Sequence, residues 1–216
     1  MGNIIQAESL ADQAYDVLKQ KIMKQQFPPG MRLVDTQLAN EFGISRTPMR
    51  EAIKRLQEDG LVKSCSGRGY CVFRPTEADI VEIYGIRRMI DIAVAVKLIK
   101  EILPTDKDAY AIIERLFIDF KVDVATNGFI KADETYHEKL VEMLGNARLS
   151  AIYSELSNQI RTFRGNTSCN KKRMERSYKH HQRICEALLA LNVDETIAAI
   201  NEHIDISINS AIEDIK

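Results

Sequence analysis

Between Asp35 and Asp59 two short helical hydrophobic patterns are separated by little more than a glycine, and this segment constrains the fold more than any other. Asp35 reads as the N-cap of a helix over residues 36–41, with Leu38, Ala39 and Phe42 facing inward. Gly43 ends that helix and permits a sharp turn, and Ser45 is placed to cap a further helix through Asp59. The apolar positions of that helix, Met49, Ala52, Ile53 and Leu56, follow the 3.6-residue period. Helix, tight turn and helix make a helix-turn-helix. Ahead of it, residues 8–25 carry Leu10, Ala14, Val17, Leu18 and Ile22 at helical spacing until Phe27-Pro28-Pro29-Gly30 stops the pattern. Behind it, two β-prone runs, Leu61 to Ser64 and Tyr70 to Phe73, flank Ser66-Gly67-Arg68-Gly69 and predict a small hairpin, or wing.

Beyond Pro75 every pattern is helical. Thr76 with Asp79 three residues on resembles a capping box opening a helix to about Lys100. Pro104 is expected to start a second to Ala125, and Gly128 precedes a third to Leu144. Residues 147–164, 172–191 and 194–215 complete six helices in a bundle-like all-α domain. The expected class is therefore mainly α, with a winged helix-turn-helix over residues 1–75 and a helical bundle over residues 76–216. Charge divides at the same place, +3 over residues 1–74 and −4 over the rest, where all four histidines lie, so the halves are expected to do different jobs. The longest apolar stretch, Ile90 to Ile99, is broken by Asp91 and Lys97 and predicts no membrane span. No export signal is legible at the N-terminus, which predicts a cytoplasmic protein. Cys65, Cys71, Cys169 and Cys185 are too few and scattered for a disulfide framework and are expected as reduced thiols.

Arg46 and Arg50 stand one turn apart on the second helix of the motif, with Thr47 in its first turn. The N-terminal end of such a helix enters the major groove, where arginine donates two hydrogen bonds to guanine. Ser45 and the helix-start N–H groups suit a phosphate, and Arg32 and Arg68 are placed to reach neighbouring phosphates or the minor groove. The run Phe27-Pro28-Pro29-Gly30-Met31-Arg32-Leu33, then Gly43-Ile44-Ser45-Arg46-Thr47-Pro48-Met49-Arg50-Glu51-Ala52, then Gly60-Leu61-Val62 and Gly67-Arg68-Gly69-Tyr70, resembles the winged-helix domain of GntR-family transcription regulators. That resemblance implies operator binding as a homodimer, with Arg32, Arg46, Arg50 and the wing Gly69 at double-stranded DNA.

In the second half, Asp133 and His137 share one helix face with Phe129, Leu140 and Leu144. His181 lies on the apolar face of its helix with Ile184, Cys185 and Leu188, and His203 lies with Ile200, Ile204 and Ile208 on that of the next. Each histidine alone reads as an ordinary core residue; together with a carboxylate inside a bundle they also read as a metal site. Asp133-x-x-x-His137-x-x-Leu140, Gly145-Asn146, His181-x-x-Ile184-x-x-Ala187, and Ala199 with His203 resemble the FCD effector domain of one GntR subfamily, in its six-helix variant. The resemblance implies a divalent metal on Asp133, His137, His181 and His203, completed by a small organic acid or sugar acid, with Arg87 near the effector. His180 neighbours the expected ligand, but His181 keeps the register to Ile184 and Ala187. Three imidazoles and one carboxylate suit Zn, Ni, Co or Mn. Two alternatives stand: a regulator whose effector is the metal itself, and a metallohydrolase. The second is disfavoured because no HExxH, nucleophile elbow or phosphate loop occurs, so no enzyme is expected.

Overall fold

The computed structural model describes residues 9–65, 69–164 and 171–215. They divide between Pro75 and Thr76 into two compact units. In the first, α1 (Leu10–Met23), α2 (Asp35–Phe42) and α3 (Arg46–Glu58) pack beside a small antiparallel sheet. Leu18, Met49, Ala52, Ile53, Leu56 and Leu61 are fully buried in one core, which is where the helical period places the first five. Gly43 adopts φ +64 at the turn between α2 and α3, the left-handed conformation that a side chain resists.

Two details differ from expectation. Asp35 is the first residue of α2 rather than its cap, with its carboxylate turned to α3; Val34, whose side chain has no acceptor, holds the cap place. The sheet has three strands, β1 (Arg32–Leu33), β2 (Val62–Ser64) and β3 (Tyr70–Val72), in the order β1-β3-β2. A two-residue strand such as β1 is too short for an alternating pattern, so its pairing of Arg32 with Cys71 and Leu33 with Tyr70 is visible only in three dimensions.

Cys65 and Cys71 also depart from the expected thiols. Cys65 N–H donates to Gly69 O at 3.0 Å. That sets Cys71 on the diagonal across the hairpin, where the two sulfurs are joined with Cα atoms 5.8 Å apart. Cys185 is free and buried, whereas Cys169 and the wing residue Arg68 lie outside the described residues.

The second unit contains α4 (Glu77–Lys97), α5 (Lys107–Asn127), α6 (Phe129–Glu142), α7 (Ala147–Phe163), α8 (Lys171–Leu189) and α9 (Val193–Asp214). Thr76 and Asp79 form the reciprocal capping box that opens α4. Pro104 does not start α5. A π-helical turn, Leu98–Ile102, prolongs α4 to the edge of the proline, and the Asp106 side chain caps α5 by accepting from the N–H groups of Asp108 and Ala109. Helices α4 and α9, α5 and α6, and α8 and α9 pack closely, which buries the faces that carry the acidic and imidazole side chains.

Candidate metal centre and nucleic-acid interface

In the first unit, Arg32, Asp35, Arg46, Arg50, Cys65 and Gly69 line one concave surface. Arg46 donates from Nε to Asp35 Oδ2 at 3.0 Å, and Arg50 Nε approaches the same oxygen at 3.7 Å. Both guanidiniums stay largely exposed. Asp35 therefore steers two cations along α3 without withdrawing them from solvent. The sequence reading missed this role because it assigned Asp35 to a cap. Ser45 occupies the N-cap of α3 but makes no cap bond, and Thr47 is exposed beside it.

Gly69 carries φ +137, and a Cβ there would meet Arg32 Nε at 3.4 Å. Gly69→Ala is expected to cost about 1–3 kcal/mol of backbone strain and, by forcing this turn out of its φ, to disturb the surface it shares with Arg32. Operator titrations by fluorescence anisotropy should show weaker binding with a shallower salt dependence. Unchanged affinity would remove Arg32 and the wing from the interface.

In the second unit, ligand-type atoms of Asp133, His137, His181 and His203 all lie within 4.8 Å of one another, and all four residues are buried. Asp133 and His137 come from α6, His181 from α8 and His203 from α9. Their surroundings decide which nitrogens carry protons. His181 Nδ1 faces the Ser177 carbonyl at 2.8 Å and must donate to it. His137 Nδ1 faces Asp91 Oδ2 at 3.3 Å, and Asp91 is held in turn by the Tyr153 hydroxyl at 2.6 Å. That puts the His181 proton on Nδ1 and leaves its Nε2 as an acceptor, and the Asp91 carboxylate beside His137 Nδ1 is placed to orient that ring for ligation through Nε2.

The two Nε2 atoms lie 3.3 Å apart, within hydrogen-bond distance, and Asp133 Oδ1 lies 3.4 Å from His181 Nε2. Buried His203 Nε2 has no hydrogen-bond partner. In the tautomers that ligate a metal these nitrogens and the Asp133 oxygen are all acceptors, and a cation among them satisfies them together. Burial favours the neutral form of two of the imidazoles: it is the largest cause lowering His137 to about 4, with the Arg87 charge adding to it, and it also holds His203 well below the ordinary range. Ring packing fixes the set, since Phe120 stacks on His181 at 4.3 Å and the His137 and His203 rings stack at 5.1 Å. The four residues fit a divalent ion with nitrogen and oxygen donors.

Arg87 lies buried between two carboxylates, with Nε 3.5 Å from Asp91 Oδ2 and Nη2 3.5 Å from Asp133 Oδ2. Sequence reasoning missed Arg164 altogether. It ends α7 and donates from Nη1 to Asp133 Oδ2, helping, against the effect of burial, to hold that carboxyl well below its usual range. A residue at a helix end has no face that periodicity can assign. Asp91 and Tyr153 orient His137; Tyr136 donates to the His181 carbonyl at 3.3 Å, and Arg161 pairs with Glu134. His180 is only half-buried beside the set.

Comparison with known proteins follows this division. Residues 10–72 match the gntR family of bacterial regulatory proteins, and residues 82–206 match the FCD domain. The chain is 31% identical over 209 residues to the HTH-type transcriptional regulator YdhC of Bacillus subtilis, covering 94% of this chain and 90% of that protein. The gluconate operon transcriptional repressor of Bacillus subtilis is 29% identical over 151 residues, 69% of this chain and 61% of the repressor. A solved structure from Rhodococcus sp. RHA1, described as a transcriptional regulator GntR, superposes with a TM-score of 0.77 at 22% identity, over 95% of this chain and 99% of that one. Among the described residues no helix is long and apolar enough to cross a membrane.

Proposed function

Since this chain belongs to the gntR family of bacterial regulatory proteins and carries an FCD domain, it is a DNA-binding transcriptional regulator rather than an enzyme, and we propose that a small carboxylate bound beside a divalent metal controls its affinity for the operator. Residues 1–75 read the operator through Arg32, Ser45, Arg46, Thr47, Arg50, Arg68 and Gly69. Residues 76–216 sense the effector and dimerise. Asp133, His137, His181 and His203 hold the metal, which would be Zn, Ni, Co or Mn, and it supplies a Lewis-acidic anchor for the acid. Arg87 offers the carboxylate a planar pair of donors. The observation carrying this reading is the convergence of the His137 and His181 nitrogens, an Asp133 oxygen and unpartnered His203 Nε2 in one buried space.

The name of the gluconate operon repressor supports a sugar acid as the effector class. Exposed Val81, Ile86 and Met89 on α4 support a homodimer. An effector that changes the placement of two DNA-binding units changes operator affinity, because half-site spacing is a geometric requirement.

Elemental analysis of the purified protein, joined to thermal melting against small carboxylates with and without chelator, tests the reading. About one metal per chain is expected, with a carboxylate that raises the melting temperature only when metal is present. No uptake of any of the four metals overturns it. Chelation that alone switches operator binding, with no acid present, makes the metal itself the effector.

A further inference from the structure

The DNA-binding unit carries a redox-active pair that neither the metal centre nor the operator arginines use. Cys71 lies in the central strand β3, where it pairs with Arg32 of β1 on one side and Lys63 of β2 on the other. Residues paired across strands project from the same face of a sheet, as do residues two apart on one strand. Cys71, Cys65 and Arg32 therefore share a face, and Gly69 belongs to it, since a Cβ there would stand 3.4 Å from Arg32 Nε. Cys65 and Gly69 also line the concave surface that holds Arg46 and Arg50. Both cysteines of the pair are half-buried, which leaves them within reach of small solutes, whereas Cys185 is buried.

A Cα separation of 5.8 Å suits a disulfide, so the bond forms without moving the strands. A bacterial regulator meets its operator where small thiols keep cysteines reduced, and disulfides that form there are mostly transient or redox-sensing. With the bond closed, the hairpin is fastened on both sides of Gly69, and the pairing of Cys71 with Arg32 carries that constraint to β1. With it open, β3 is held among the described residues by two pairs to β1 and three to β2. Ladders so short open readily, and DNA must then order the wing as it binds, which lowers affinity.

Resting on the assignment of this surface to DNA, we propose that Cys65 and Cys71 form a reversible thiol–disulfide site whose substrate is a low-molecular-weight disulfide, and that the oxidised wing binds the operator more tightly than the reduced one. One thiolate of the pair attacks a sulfur of the small disulfide, forming a mixed disulfide and releasing one small thiolate. The second thiolate then attacks the protein sulfur of that mixed disulfide, closes the Cys65–Cys71 bond and releases the other. Two electrons pass from the protein to the small disulfide, the two protons of the protein thiols end on the two small thiols, and excess small thiol reverses both steps.

Full-length protein equilibrated with oxidised or with reduced glutathione tests this, against a duplex selected from random sequence for binding. Trypsin cleaves after Lys63 and Arg68 and puts the two cysteines on separate peptides, which stay joined only through the bond. The joined pair is expected under oxidised glutathione and not under reduced. Fluorescence anisotropy should show at least about fivefold tighter operator binding by the oxidised protein, the low end of coupling between linked sites. Cys65→Ser and Cys71→Ser should each bind as the reduced parent does and ignore glutathione. No joined peptide, or oxidised protein that binds no more tightly than reduced, overturns the proposal without recourse to a variant. A response that persists in both serine variants overturns it too, because it comes from elsewhere. Gly69→Ala and Arg50→Ala proteins that bind the duplex as tightly as the parent overturn the DNA assignment of this surface instead.

Discussion

Arg50→Ala is expected to lower affinity for the cognate operator by about ten- to a hundredfold while leaving the fold intact. A bidentate arginine–guanine contact contributes about 1–3 kcal/mol of discrimination, and the Arg50 guanidinium is presented for such a contact. Its side chain is 61% exposed, and the one described ion pair, to Asp35, is long at 3.7 Å. Truncating an exposed side chain with so loose a partner changes folding stability by about ±0.5 kcal/mol. Anisotropy titrations against the operator and against a scrambled duplex separate the outcomes. If operator binding alone falls, Arg50 reads a base. If both duplexes lose affinity equally and the salt slope drops by about one, it contacts a phosphate instead. Undiminished operator affinity would show that α3 is not the reading element.

Asp35 gives that prediction a second side. In the DNA-free protein one carboxylate accepts from Arg46 and approaches Arg50, so both guanidiniums are held on the same side of α3 before DNA arrives. Pre-ordering reduces the side-chain entropy lost on binding, and a DNA acceptor must compete with the carboxylate. A guanine offering two acceptors competes better than a lone phosphate oxygen. If Arg46 and Arg50 contact the operator as proposed, Asp35 contributes specificity as well as position.

What was legible in the sequence follows from the range of the interactions involved. Met49, Ala52, Ile53 and Leu56 declare their burial through local period, and Gly43 declares its turn through the conformation only glycine takes easily. Asp133, His137, His181 and His203 were legible for the same reason, each lying on an apolar stripe of its own helix. The partners of those groups were not. Asp91 meets His137 across 46 residues and Tyr153 across 62, and Arg164 meets Asp133 across 31. Nothing local marks such pairings, because a polar residue on a buried face looks like a break in the pattern until the opposing helix is in place. Asp35 failed for the opposite reason: a strong local rule, carboxylate before a helix, was overridden by two arginines on the next helix. The Cys65–Cys71 pair failed because diagonal neighbours across a hairpin depend on its register and twist.

Asp133→Ala should be the most damaging single change in the second unit, even in metal-free protein. It removes a carboxylate that serves two buried guanidiniums, leaving Arg87 with Asp91 and taking away the ion-pair partner of Arg164. Removing one partner of a buried ionic group costs about 3–5 kcal/mol. In a chain of this size that lowers the melting temperature by about 6–20 °C. His203→Ala is the informative contrast. Its Nε2 has no hydrogen-bond partner, so truncation strands no charge, and the metal-free protein should lose only the packing of one ring. Melting both variants with chelator and with zinc separates the two roles of the cluster. His203→Ala should lose mainly the stabilisation that zinc adds, whereas Asp133→Ala should lose that and the metal-free stability as well. If instead His203→Ala melts as low as Asp133→Ala in chelator, the imidazoles are ordinary core residues and their convergence reflects packing. If Asp133→Ala is as stable as the parent without metal, the buried arginines find other partners, and Asp133 is not the counter-charge that holds them.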